Sequence, residues 1–276
     1  MKKISTTAFL VLLYACSARA QFYYKDIISN NQLLKEMALY KENKVRTVVI
    51  KSFEDDGSES DGFLCEKTLS KDYKKTELFT RSNVSGASLF TSWFNNKGQL
   101  IRTNDSSVIS VTVNNYSYDG QDRIKSILSS VRSFDDDFVN EILEEHIYIY
   151  NEKNVPEKMI RVKNKYDSTT IQFLPDEKNN IGIEKDTKNG SKYYYYYDDR
   201  SRLTDIAHSN EFKPAVSADY LFEYNSANLL TQMTTTEEGG SYYYIWKYNY
   251  SNGLRSTEKC YSKEKRLMGT IEYEYK

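Results

Sequence analysis

The sequence predicts an all-β fold. Tandem antiparallel β-hairpins should form a curved, elongated single-layer sheet with a short N-terminal capping helix. Three observations predict it: a strand-favouring composition, a recurring aromatic motif, and a repeat unit too short to hold a crossover helix.

Composition comes first. Among 276 residues there are 25 Tyr and 12 Phe but only 3 Pro. Aromatic residues suit a pleated, half-buried surface, and each covers roughly 150–250 Å² when buried. They can therefore supply a core although hydrophobic residues make up only 39 % of the chain. The 38 basic and 39 acidic residues are well mixed and give a net charge of −1. No basic tract points to nucleic acid.

The motif is clearest at Tyr116-Ser117-Tyr118-Asp119, which leads through Asp122 to Ile124. The second aromatic position falls at residues 94, 118, 150, 175, 197, 224, 250 and 275, with Pro175 in place of one aromatic. The one long interval carries its surplus around Phe134-Asp135-Asp136-Asp137. Aromatics two apart share a strand face. Asp or Asn after them can accept a backbone N–H two residues on and open a turn. Gly, Asn or Asp three residues later tolerates the left-handed conformation that such a loop needs. Leu or Ile two residues further starts the returning strand. About 25 residues hold two strands and two turns, which makes neighbouring strands antiparallel.

The pattern resembles the YD-repeat, or Rhs-like, family, most closely at Tyr116–Ile124 and Tyr195–Leu203. The resemblance covers about residues 86–276, and its copies are degenerate: Gly stands at the turn only at Gly98 and, shifted, at Gly253. It implies hairpins wound into a curved single-layer sheet, which in long members becomes a hollow shell around a C-terminal toxin. Here Tyr275-Lys276 falls inside a repeat, so no such cargo is expected.

The N-terminal portion reads differently. Residues 1–20 have the form of a signal peptide: Lys2 and Lys3, an apolar core from Ala8 to Ala15, and the small-x-small site Ala18-Arg19-Ala20. Leu13-Tyr14-Ala15-Cys16 offers a competing lipobox, in which Cys16 would be lipidated. Either way the protein is exported, to the periplasm, the outer membrane or the exterior. Residues 25–43 read as a helix with a capping box at Ser29 and Gln32, and Val45 to Phe53 as a strand. The expected organisation is thus a signal peptide (1–20), a helix with cap hairpins (21–85) and the array (86–276).

No catalytic residue, cofactor site or metal site is legible. The chain lacks a nucleophile elbow, a zinc-protease helix, a P-loop and a dinucleotide fingerprint. His146 reads as a sheet-face residue, and His208 as a loop residue without a positioned partner. Asp55 to Gly62 departs from calcium-loop spacing and reads as a solvated hairpin loop. Tyr193, Tyr195 and Tyr197 share one strand face and are the candidate binding surface for a protein or glycan; a cross-strand aromatic ladder is the plainer explanation. The expected function is a non-enzymatic exported binding or structural module. The alternatives are a periplasmic carrier of an apolar ligand and a hydrolase. In an open array Cys65 and Cys260 would stand roughly 70 Å apart, so a bond between them would demand a closed ring.

Overall fold

Each aromatic pair ends a strand because the residue after it closes a turn. A computed structural model describes residues 22–134, 141–212, 214–237 and 241–276. The export segment with Cys16, and the run Asp135, Asp136 and Asp137, lie outside these residues. In six turns the Asp or Asn side chain accepts a backbone N–H two residues on, at 2.8–3.0 Å: Asn95, Asp119, Asn151, Asp176, Asp198 and Asn225. Three residues later the backbone turns left-handed in each, at Gly98, Asp122, Asn154, Asn179, Ser201 and Asn228.

Helix α1 (Lys25–Glu42) comes first among the described elements. The strands are β1 (Thr47–Phe53), β2 (Leu64–Leu69), β3 (Lys75–Ser82), β4 (Gly86–Phe94), β5 (Leu100–Ser107) and β6 (Ser110–Tyr118). They continue with β7 (Ile124–Ser133), β8 (Ile142–Tyr150), β9 (Pro156–Lys163), β10 (Asp167–Pro175), β11 (Ile181–Asp186) and β12 (Lys192–Tyr197). The last are β13 (Leu203–Ser209), β14 (Ser217–Tyr224), β15 (Leu230–Thr236), β16 (Tyr243–Ser251), β17 (Leu254–Ser262) and β18 (Leu267–Tyr275).

Each strand pairs antiparallel with the next, and β1 pairs with β18 from Val48↔Tyr275 to Phe53↔Thr270. The 18-stranded sheet is therefore a closed barrel, which corrects the expectation of an open curved array. Closure leaves no sheet edge to be capped. It also overturns the thiol argument. Cys65 on β2 and Cys260 on β17 are separated by β1 and β18 alone, roughly 14 Å at 4.8 Å per strand. Both are buried free thiols, so a closed ring needs no disulfide.

A bulge follows every motif turn. Phe94 pairs with Leu100 but Trp93 with Arg102, and the same slip recurs at Tyr118, Tyr150, Pro175, Tyr197, Tyr224 and Tyr250. One extra residue reverses the parity of the returning strand. Its inward residues therefore begin at i and i+3, as in Ile124/Ile127, Ile181/Glu184 and Leu203/Ile206.

The second aromatic of the motif faces inward and ties its hairpin to the one before. Its hydroxyl donates to the carbonyl that opens the previous returning strand: Tyr118 to Leu100, Tyr150 to Ile124, Tyr197 to Ile181, Tyr224 to Leu203 and Tyr250 to Leu230, at 2.8–3.0 Å. Tyr275 does the same to Arg255 at 2.6 Å. Side chains also link successive turns, with Lys97 on Asp122, Arg123 on Asn154 and Arg202 on Asn228.

Helix α1 lies within the turn-bearing end rather than over an open array end. An 18-stranded barrel with tilted strands is roughly 35 Å across. The 18-residue helix is roughly 27 Å long, and side chains at both ends cover the remainder. Its N-terminal side packs in a cluster with Tyr148, Phe173, Tyr195 and Ile206. Its C-terminal side packs with Val48, Cys65, Phe94 and Leu254. The helix is thus a strut across the barrel. Ser29 lies inside it, so the expected capping box is absent; Tyr24 is the N-cap and makes no side-chain cap bond.

Candidate functional site

The pairing register assigns every strand residue to the lumen or the outer wall. The outer wall carries charge on strand after strand, including Lys51, Glu77, Arg102, Lys158, Lys185 and Lys247. Among the described residues these charges interrupt the outer wall, where a lipid-embedded barrel carries a continuous apolar belt. No described helix is long and apolar enough to cross a membrane.

The lumen divides into two halves. At the turn end the inward residues are aromatic and aliphatic, and the strut fills the space. Towards the other end they become polar. On β3 to β7 the inward positions include Thr80, Ser88, Asp105, Thr112 and Ser129, all partly exposed. Across β8 to β14 they include Glu144, Arg161, Asp186, His208 and Asp219. Tyr244 and Trp246 on β16 add aromatic surface at the same level. Burial raises the Asp105 carboxyl pKa. Burial likewise raises Asp219, with the bond from His208 Nδ1 (2.8 Å) acting against it. His208 thus stands in β13 with a carboxylate partner on β14, not in a loop without one as the sequence reading had it.

The floor of this polar half is an ionisable network that holds the start of the strut. His146 Nδ1 donates to Asp26 at 2.6 Å and Nε2 to Glu144 at 2.9 Å. Burial opposes charge on His146, but these two carboxylates outweigh it and push the imidazole up to about 9. The Tyr148 hydroxyl lies 2.8 Å from Asp26 and 3.0 Å from the Tyr23 carbonyl. Arg161 donates to the Tyr23 hydroxyl at 2.7 Å. Glu184, 3 % exposed, accepts from the backbone N–H of Tyr23 and Tyr24 and from the Tyr195 hydroxyl, at 2.8–2.9 Å. It supplies from β11 the N-terminal cap that the helix's own residues lack. Burial pushes its carboxyl up to about 7, although those three donors favour the charged form.

Tyr193, Tyr195 and Tyr197 do share the inner face. Tyr193 is 6 % and Tyr195 3 % exposed, and Phe22 and Tyr24 pack on them with ring centroids 5.3–6.2 Å apart. The surface they offer is taken by the protein's own N-terminal segment. Asp55 to Gly62 forms the β1–β2 loop, where Arg266 holds Asp55 at 2.6 Å and Ser60 bonds Ser52. Among the described residues no group of three or more His, Cys, Asp or Glu is placed to hold a metal ion.

No family model and no curated protein matches the chain. Solved structures overlap it in part. A porin-like protein from Bacteroides uniformis aligns with 84 % of this chain and 98 % of its own, at 10 % identity and a TM-score of 0.40. The TcdB2-TccC3-Cdc42 structure aligns with 77 % of this chain, at 12 % identity and a TM-score of 0.33, and the match spans 12 % of that chain's length. A beta-barrel-like protein of unknown function from Brucella abortus aligns with 83 % of this chain and 96 % of its own, at 12 % identity and a TM-score of 0.26. Overlaps this partial assign neither a family nor an activity.

Proposed function

We propose that the protein is a non-enzymatic, exported binding module of the YD-repeat type that admits a polar ligand into its lumen. One observation carries this reading: the inward residues of the half not filled by the strut are hydroxyl-bearing and ionisable, with aromatic rings among them. Hydroxyls and carboxylates oriented by a rigid wall, beside Tyr244 and Trp246, suit a carbohydrate. An apolar carrier would need continuous apolar lining, which Ser88, Thr112 and Ser129 interrupt. The six repeated turns and the bulge after each support the YD-type reading of the array.

The test is a panel of soluble oligosaccharides and a fluorescent fatty acid, read by thermal transition and by titration. An oligosaccharide should raise the transition, and Trp246→Ala should remove the rise. Fatty-acid binding in the lumen, without any oligosaccharide effect, would replace this reading with the carrier.

A further inference from the structure

The barrel's two ends carry opposite chemistry at their tips. At the turn end the tip residues are polar: Asn96-Lys97, Gly120-Gln121, Glu152-Lys153, Glu177-Lys178 and Asp199-Arg200. At the loop end they are not. Val84, Val108, Ile109, Tyr166, Phe212 and Tyr242 sit there, between β3 and β16. Tyr166 is 91 % and Phe212 98 % exposed, and the other four are 61–72 % exposed. Every large apolar or aromatic side chain more than half exposed among the described residues lies at this end. Val108-Ile109 is the sharpest instance, because the centre of a two-residue hairpin loop normally holds Gly, Asn or Asp. Single exposed apolar residues need no explanation; a ring of them at one end does.

We propose that the loop end between β3 and β16 is a membrane-docking rim, whose apolar tips enter a lipid surface while the charged barrel wall and the polar β1–β2 and β17–β18 loops stay in water and leave the lumen open on that side. Two features select lipid over a protein partner or a second copy. The tips are discrete, and successive ones stand two to four strands, roughly 10–20 Å, apart with polar residues between them. Such points can sink into fluid lipid, whereas a protein partner needs a contiguous, complementary core. The first described residue also lies on that side of the strut. Phe22 lies in the lumen against Tyr193, Tyr195 and Tyr220, and Tyr193 is the second residue of β12 counted from the loop end. The apolar run Ala8 to Ala15 ends seven residues earlier, within about 25 Å of Phe22 even if fully extended. A lipid on Cys16 would hold this mouth to a bilayer; a cleaved N-terminus leaves the tips to do so alone. The rim's Lys163, Lys165 and Lys188 stand among Asp55, Asp167 and Glu264, so apolar insertion rather than charge should dominate.

The test uses exported, purified protein carrying Cys16→Ala, so that no lipid anchor contributes, and flotation with phosphatidylcholine vesicles. The protein should float with the vesicles, and salt should change this little. V108S/I109S/Y166S/F212S should reduce partitioning by at least about tenfold, with an unchanged circular-dichroism spectrum and thermal transition. L174S/Y196S, which removes exposed apolar surface from the outer wall, should leave partitioning unchanged and controls for surface hydrophobicity in general. Protein that never floats overturns the proposal. So does self-association abolished by the rim substitutions, which would make the rim a contact between copies.

Discussion

Raising the pH through the range where His146 loses its proton should loosen the strut and destabilise the barrel. His146 is 8 % exposed, and its protons point at Asp26 on the helix and Glu144 on the wall. Arg161 is its cross-strand partner on β9, and the Tyr23 ring meets it edge-on at 5.1 Å. Its folded value of about 9 lies above the ordinary 6.5. The stabilisation is therefore fully present below pH 6.5 and is lost as the pH rises through about 9. That displacement corresponds to about 3 kcal/mol, a large share of the 5–15 kcal/mol typical of a domain. The assay is urea unfolding followed by tyrosine and tryptophan fluorescence at a series of pH values from about 6 to about 10. The midpoint should fall by about 1 M for a slope near 3 kcal/mol/M. Tyr, Cys and Lys side chains of the unfolded chain titrate near the upper limit, so the control is His146→Gln. That variant should be less stable at pH 6.5, since Asp26 and Glu144 lose their shared cation, and its midpoint should fall less with pH. A wild-type midpoint that stays flat, or an equal fall in His146→Gln, would refute the assignment. Glu184 works in the same direction in a lower window: its contribution is present below pH 4.5 and lost as the pH rises through about 7. Glu184→Gln should flatten that lower window and spare the upper one.

Two further predictions concern the repeat. Tyr224→Phe removes a 2.9 Å bond to the Leu203 carbonyl and should cost about 0.5–1.5 kcal/mol in urea unfolding, while the same change at Tyr244, outside the motif position, leaves every motif bond in place. Asn252 has φ +51°, so Asn252→Gly should be neutral or better, and Asn252→Val should cost about 1–2 kcal/mol by the same measurement.

How far the sequence carried the fold depends on the range of each interaction. The turns were legible because their chemistry is local. Asp119 caps N–H groups within four residues of itself, and the left-handed position three residues on is restricted to a few residue types. The helix was legible in extent, 25–43 expected against Lys25–Glu42 observed, but not in role. Its cap comes from Glu184, 160 residues away, which no local pattern announces. His208 acquired Asp219 because β13 and β14 slip register between Ile206 and Ala207, which turns Asp219 towards it. One signal was present and could have been used. Inward residues at i and i+3 after each turn, as in Ile124/Ile127 or Leu203/Ile206, break strict alternation and mark the bulge. Reading Ile181 and Ile183 as one face instead would turn Glu184 to the outside and miss the anchor.

Closure itself was not legible, and the reason lies in how a ring forms. Every neighbouring pair needs only the residues of two consecutive hairpins, whereas β1–β18 joins Val48 to Tyr275 across nearly the whole chain. That contact follows from the accumulated twist of all the hairpins together, to which each bulge adds. A small error per strand, summed over eighteen, decides between a spiral and a ring. The strut supplies what the repeat alone does not. By binding β8, β9 and β11 through Asp26, Tyr23 and Tyr24, and β2 through Glu36 on Lys67, it fixes the distance between opposite walls. A sheet held at that separation returns its last strand to its first. The residues that close the barrel are therefore largely outside the repeat, in a segment whose composition gives no sign of the wall it meets.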